Sequence, residues 1–246
     1  AALRGHKVTL YEKSNALGGH LIEGSVPDFK KDYERLLKWY KVELESLSVG
    51  SKMSIEITPE LIEKEKPDVI IIATGSKPII PDIPGIDKDK VATATDVLLG
   101  KEKVGEKVVV IGGGLIGCET ALWLAQQGKK VTIVEMLGDL MSAGLPVPHA
   151  NRIMLLDLLK FNKVEAVINH ELLEVTDEGV VLIGKDFKEK SVEADSVVLS
   201  VGLKPDKELY NTLAGKIPNL YLIGDAREAR NIMGSIWDAY EVVRAL

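Results

Sequence analysis

Three glycines and an acid, at fixed spacing, offer the clearest chemistry in the chain. Val108-Val-Val-Ile111 runs into Gly112-Gly-Gly114-Leu115-Ile116-Gly117, and Val131-Thr-Ile-Val-Glu135 ends on an acid 18 residues after Gly117. Gly112 permits a tight turn out of a strand, Gly114 lets backbone amides approach a pyrophosphate, and Gly117 lets a helix pack close to that strand. The helix opening at Leu115 and Ile116 would face phosphate oxygens with unpaired N–H groups and the positive end of its dipole. Glu135 lies 23 residues after Gly112, where it would accept hydrogen bonds from a ribose 2′-hydroxyl. Met136 and Leu137 follow it, with no arginine there for a 2′-phosphate, so NADH is expected over NADPH. A glycine turn alone is weak evidence. Here strand, glycines, helix, second strand and acid all stand in register, and the segment reads as a dinucleotide-binding βαβ unit.

The elements that position this loop occur twice. Ala1 to Lys13, laid on Leu124 to Met136 at an offset of 123, matches at Ala2, Gly5, Lys7, Val8, Thr9 and Glu12. The opening segment therefore reads as the tail of a second βαβ unit, whose own strand and phosphate loop are expected before Ala1. Ile70-Ile-Ile-Ala73-Thr74-Gly75-Ser-Lys-Pro78 matches Val197-Val-Leu-Ser-Val-Gly202-Leu-Lys-Pro205 at an offset of 127, and both are apolar runs broken by Gly and Pro. Two homologous halves follow.

Between them, Gly18-Gly19-His20 is a glycine loop, and residues 28 to 47 form an amphipathic helix with Phe29, Tyr33, Leu36, Leu37 and Tyr40 on one side. At this spacing Tyr33, Trp39 and Tyr40 read as core. Thr58 and Pro59 cap and open a short helix. Residues 78 to 85 read as an extended linker, 91 to 99 as a brief strand and helix, and 100 to 106 as a charged connection. Beyond Glu135, a helix from Pro148 to about Phe161 and a strand over 164–169 precede alternating runs at 172–176 and 179–183, which predict a β-meander. A strand ending in Gly224-Asp225 and a helix over 232–246 close the chain. The charged run from Lys185 to Lys190 reads as a solvated face.

With 246 residues, a net charge of -6 and 46% hydrophobic residues, the chain has ample core and no basic face for nucleic acid. No apolar run reaches membrane-span length and no signal peptide is apparent, so the expected address is cytoplasmic. Cys118 is the single cysteine, which excludes an internal disulfide, a CxxC pair and a four-cysteine iron-sulfur site. It reads as packing beneath the glycine loop, although a helix start could also lower a thiol pKa.

These features together resemble the two-dinucleotide-binding-domain flavoproteins. That resemblance implies an α/β fold of two Rossmann-like domains, the NAD(H) domain inserted into the FAD domain, each with a parallel sheet and a β-meander crossover. The boundaries expected are 1–105 and 216–246 for FAD and 106–215 for NAD(H). It further implies Glu12, with Lys13 beside it, at the adenosine ribose of FAD; the loop Gly18, Gly19 and His20 near the FAD phosphates, with solvated surface the alternative for His20; and Ala73-Thr74-Gly75 and Gly224 at the flavin. Asp225 would bond the ribityl chain or else cap the last helix. Gly202 and Glu119 would lie at the nicotinamide nucleotide, a plain helix-start acid being the alternative for Glu119.

The 18–21 loop, Asp225-Ala-Arg-Glu-Ala-Arg230, Asn231-Ile-Met-Gly234 and Trp237-Asp-Ala-Tyr240 look like the C-terminal flavin module of the 2-enoate reductase family, which includes 2,4-dienoyl-CoA reductase and trimethylamine dehydrogenase. The resemblance implies part of a larger NADH-dependent oxidoreductase. It implies that hydride would pass from NADH to FAD and that electrons would continue through a [4Fe-4S] cluster to FMN in an upstream TIM barrel, where the C=C bond of a 2-enoate would be reduced. No catalytic residue or metal ligand is expected within these residues, and self-association is open to the protein. A module that only holds NAD(H) or ADP, or an NADH oxidase or dienoyl-CoA reductase relative, are the alternatives.

Overall fold

All 246 residues are described in a computed structural model. In chain order the elements are β1 (Thr9–Glu12), α1 (Leu21–Gly24), α2 (Asp32–Ser46), β2 (Gly50–Met53), α3 (Pro59–Glu65), β3 (Ile70–Ile72), β4 (Ser76–Pro78), β5 (Val91–Thr93), α4 (Ala94–Leu98), β6 (Lys107–Ile111), α5 (Leu115–Gln126), β7 (Lys130–Glu135), α6 (His149–Phe161) and β8 (Glu165–Ile168). They continue as β9 (His170–Val175), β10 (Gly179–Gly184), β11 (Glu189–Glu193), β12 (Ser196–Leu199), β13 (Leu203–Pro205), α7 (Glu208–Leu213), β14 (Leu220–Leu222) and α8 (Ile232–Ala245).

The chain divides into a first unit, Ala1–Lys77 with Leu203–Leu246, and a second, Pro78–Gly202. These units break at 77/78 and 202/203, where the sequence placed its limits at 105/106 and 215/216. Val91–Thr93 is a parallel edge strand paired to β12, so residues 78–105 belong with the second unit's sheet. Residues 203–215 supply α7 to the first unit, where Leu213 is buried beside Ile62 and Ile72.

The second unit holds a five-stranded sheet of order β5-β12-β6-β7-β8, parallel throughout. Val108 and Val110 join a cluster with Ala121, Leu122 and Leu124 of α5 and Leu155 and Leu159 of α6. Val109 and Ile111 join another with Leu172, Val175, Val180 and Leu182 of the antiparallel β9-β10-β11 meander. Alternate residues of one strand thus face helices on one side and the meander on the other. That two-sided burial is why β6 reads as an unbroken apolar run.

The first unit carries the parallel pairs β1-β2 and β14-β3, with β13-β4 as a third two-stranded piece. By the internal repeat β1 corresponds to β7 and β3 to β12. Pairing then makes β2 the counterpart of β8 and β14 that of β5. The place that β6 fills between β12 and β7 has no strand in the first unit. Nor has this unit a meander, against expectation: the chain crosses from β2 to β3 through α3, which packs Ile62 into the core. Thr58 caps α3 through Leu61 N–H at 3.3 Å, and Pro59 is its first residue. Trp39 is 52% exposed, so it is not the core residue its spacing predicted. In the second unit, part of the charged 185–190 run pairs as β11; the alternation of charge hid an edge strand.

Candidate nucleotide-binding sites

In the second unit, β6 ends at Ile111 and the glycine loop turns at once into α5. Gly112 has φ 102°, and a Cβ there would overlap the Ser200 carbonyl oxygen at the end of β12. A Cβ on Gly117 would overlap the Gly112 carbonyl oxygen, so the helix sits against the strand only because both are glycine. Gly114, by contrast, has an ordinary φ of −68° and open space where a side chain would project. It is the N-cap of α5, and no side chain caps the helix. The first-turn amides are left for an anion approaching through that open space, so the loop fits a pyrophosphate. Leu115 and Ile116 are exposed around this opening, and Glu119 is half-buried one turn on.

Glu135 is buried at the end of β7. Its Oε2 accepts the Gly113 N–H at 2.7 Å and its Oε1 the Leu137 N–H at 2.8 Å. The acid therefore clamps the glycine loop to the end of β7, a function its spacing did not reveal. A carboxylate has about four acceptor positions, so two remain for a ribose. Arg152 of α6 reaches the segment after β7, but it is engaged with Asp139 at 2.5 Å and the Leu140 carbonyl at 3.1 Å. Cys118 is buried, its Sγ 3.4 Å from the Gly113 carbonyl oxygen. Burial foremost, then the charges of Glu119 and Glu135, push its thiol up to about 12, which removes the activated-thiol alternative. Gly202 ends the strand region after β12 at φ 109° and accepts the Ile79 N–H at 3.0 Å.

The first unit gathers the other sequence-derived residues around the ends of β1, β3 and β14. Glu12 is half-buried, its Oε1 accepting the Ser14 N–H at 2.7 Å, and Lys13 is exposed. Ala73 and Thr74 are exposed at the end of β3; Thr74 Oγ1 donates to the Asp206 carbonyl at 2.6 Å, and Gly75 accepts the Asp206 N–H at 2.9 Å. Gly18 and Gly19 lead into α1, both at positive φ.

Gly224 and Asp225 follow β14. Gly224 N–H donates to Asp238 Oδ2 at 3.0 Å, and that buried carboxylate also takes Arg230 at 2.5 Å and Arg227 at 3.2 Å. Burial alone would raise the Asp238 pKa, but the Arg230 and Gly224 hydrogen bonds and the two arginine charges hold it below its ordinary value. Asp225 does not cap α8: Asn231 does, accepting the Gly234 N–H at 2.9 Å. Asp225 instead accepts the Arg230 N–H at 3.2 Å on Oδ1 and lies 3.5 Å from Ser76 Oγ on Oδ2.

His20 is half-buried, and both of its ring nitrogens are engaged. Nδ1 meets Glu23 Oε1 at 2.5 Å, and Nε2 meets both the carbonyl oxygen and Oγ of Ser76 at 3.0 Å. Glu23, Ser76, Arg230, Asp238 and Arg152 were all missed as site residues. Glu23 left a local signal, one helical turn after His20, and Arg230 and Asp238 lie in the same short C-terminal runs as Asp225; Ser76 lies 56 residues from His20 and 149 from Asp225.

Residues 1–240 match the family described as pyridine nucleotide-disulphide oxidoreductase. The chain is 49% identical over 244 residues to a cinnamate reductase of Clostridium sporogenes, covering 99% of this chain and 36% of that protein. It is 38% identical over 247 residues to an NADH oxidase of Thermoanaerobacter brockii, covering 98% and 38%. A solved complex of 2-naphthoyl-CoA reductase with 2-naphthoyl-CoA is similar at TM-score 0.92 and 35% identity, covering 98% of this chain and 36% of that one. The chain thus spans between a third and two fifths of the length of these relatives. No helix is long and apolar enough to cross a membrane.

Proposed function

Because the chain belongs to the pyridine nucleotide-disulphide oxidoreductase family, whose domain binds FAD and NAD(H), we propose that it is the NADH-oxidising flavin module of a larger reductase acting on the C=C bond of a 2-enoate. When bound, NADH supplies a hydride and FAD accepts it. The observation that carries the reading is the Gly114 opening, an uncapped helix N-terminus held to Glu135 through Gly113, in a chain 49% identical to a cinnamate reductase.

In this reading the amides beyond Gly114 hold the pyrophosphate of NADH, and Glu135 takes the ribose hydroxyls while it fixes the loop. Leu115 and Ile116 keep water from the bound nucleotide, with Glu119 and Gly202 towards the nicotinamide end. Glu12 with Lys13, the Gly18-Gly19 loop, Ala73-Thr74-Gly75 and Gly224-Asp225 hold FAD in the first unit, the Asp225 carboxylate accepting from the ribityl hydroxyls. The onward FMN and [4Fe-4S] groups belong to the upstream barrel of the parent enzyme. Residues 1–246 do not fit a four-cysteine cluster, since Cys118 is single and buried. That buried thiol also suits a cytoplasmic address.

The test is anaerobic mixing of the protein with FAD and then NADH. Binding of both, with bleaching of the flavin's visible absorbance, is the expected result. NADH binding with the flavin left oxidised would replace this reading by a second one, nucleotide binding without hydride transfer. The unjoined β14-β3 and β1-β2 pairs favour that second reading for the isolated chain.

A further inference from the structure

We propose that His20 and Ser76 are positioning residues for Asp225, together orienting the carboxylate assigned above to the flavin. This rests on the flavin reading, and it comes from hydrogen-bond directions. A carboxylate and a carbonyl only accept, so Nδ1 must donate to Glu23 and Nε2 to the Ser76 carbonyl when both contacts are made. The ring is then an imidazolium, and Ser76 Oγ–H is free to donate to Asp225 Oδ2, 3.5 Å away. In a neutral ring that keeps its proton on Nδ1, Nε2 becomes an acceptor. Ser76 Oγ lies 3.0 Å from it and turns its proton there. Asp225 then loses its donor on Oδ2 and keeps only the Arg230 N–H on Oδ1. One proton on His20 thus decides which way one hydroxyl points.

The surroundings favour the charged ring. Glu23 is 8% exposed, and its carboxylate is matched by His20. The Glu23 hydrogen bond chiefly, against burial, and then the charges of Glu23 and Asp225 and the Ser76 carbonyl raise the His20 pKa from its ordinary 6.5. The charged groups bearing on the ring are Glu23 from α1 and Asp225 from the turn after β14. A folded value above the unfolded one means that the associated stability is fully present below pH 6.5 and is lost as pH rises through the folded value. The same interval is where Asp225 changes its hydrogen bonding.

The experiment pairs a cofactor-free readout with a binding one. In the 246-residue protein, the His20 ring is titrated by nitrogen NMR in wild type, S76A, S76T and D225N, and FAD affinity is measured across the same pH range. D225N, which removes a negative charge facing the ring, should lower the His20 titration point; S76A, which removes the hydroxyl that donates to the neutral ring but keeps the carbonyl that accepts from the charged one, should raise it, and S76T should restore it. Wild-type FAD affinity should weaken about tenfold as His20 deprotonates, the worth of one hydrogen bond to a charged acceptor. H20Q, which still donates but does not titrate, should give a flat profile. A His20 titration unmoved by S76A and D225N, or a wild-type FAD profile as flat as that of H20Q, overturns the coupling. Absence of FAD binding at every pH overturns the flavin reading instead, and the NMR series then decides the coupling.

Discussion

At the scale of single residues, the glycine loop separates two requirements that its spacing alone merges. Gly117→Ala pushes a Cβ into the Gly112 carbonyl, and neither backbone can yield. We expect a loss of about 1 to 3 kcal/mol in stability, as for other overpacked sites, visible as a lowered melting temperature. Gly114→Ala meets nothing and keeps an ordinary φ. It should melt like wild type yet bind NADH at least about tenfold more weakly, because the methyl group occupies the space the pyrophosphate needs. Equal melting losses in the two variants would refute this division. Glu135→Gln keeps one acceptor oxygen but turns an amide towards a backbone N–H of Gly113 or Leu137. A cost of about 1 to 3 kcal/mol in stability, with a raised Kd for NADH, follows from the clamp and not from the ribose contact alone.

At the scale of elements, α8 and the turn before it are joined by one buried carboxylate. Asp238 takes the Gly224 amide and the Arg227 and Arg230 guanidinium groups together, so the helix fixes the loop that presents Asp225. Its pKa is depressed, so its contribution is present above the ordinary carboxylate value of 3.8 and vanishes as pH falls through the folded value. Asp238→Asn should therefore cost about 2 kcal/mol at neutral pH and converge on wild type as pH falls through the folded value, as read from urea melts at stepped pH. A gap that stayed constant into acid would assign the loss to packing. The alternative in which Asp225 caps α8 failed because Asn231, six residues further on and directly before Ile232, already does so.

At the scale of the whole molecule, the two units differ in how completely they are built. The second has apolar clusters on both faces of a five-stranded sheet. The first has a small cluster centred on Ile62, Ile72 and Leu213. Amide exchange should protect β6, β7 and β12 strongly and β1, β2 and β3 weakly, with the first unit opening at lower denaturant. NADH should shift only the second unit's transition, by about 2.7 kcal/mol at free NADH about 100 times Kd. A single cooperative transition that moves as one with NADH would contradict independent units.

Much of this organisation was legible without coordinates. The βαβ unit, the duplicated halves and the inserted order follow from chemistry repeated at fixed spacing: glycines where backbone must approach, an acid 23 residues on, β-branched runs where a strand is buried on both faces. Local periodicity carries those signals because each is set by neighbours in the chain. The domain limits, the absent meander of the first unit, the edge strand β11, the exposure of Trp39 and the His20–Ser76–Asp225 chain were not legible. Each depends on a partner brought up by folding: β12 for Val91–Thr93, Ser76 at 56 residues from His20, Asp225 at 149 from Ser76. The residue types and their spacing determined which nucleotide chemistry the protein can hold. Only the tertiary structure decided which donors and acceptors orient it, because hydrogen-bond direction is set by groups that meet in space and not in sequence.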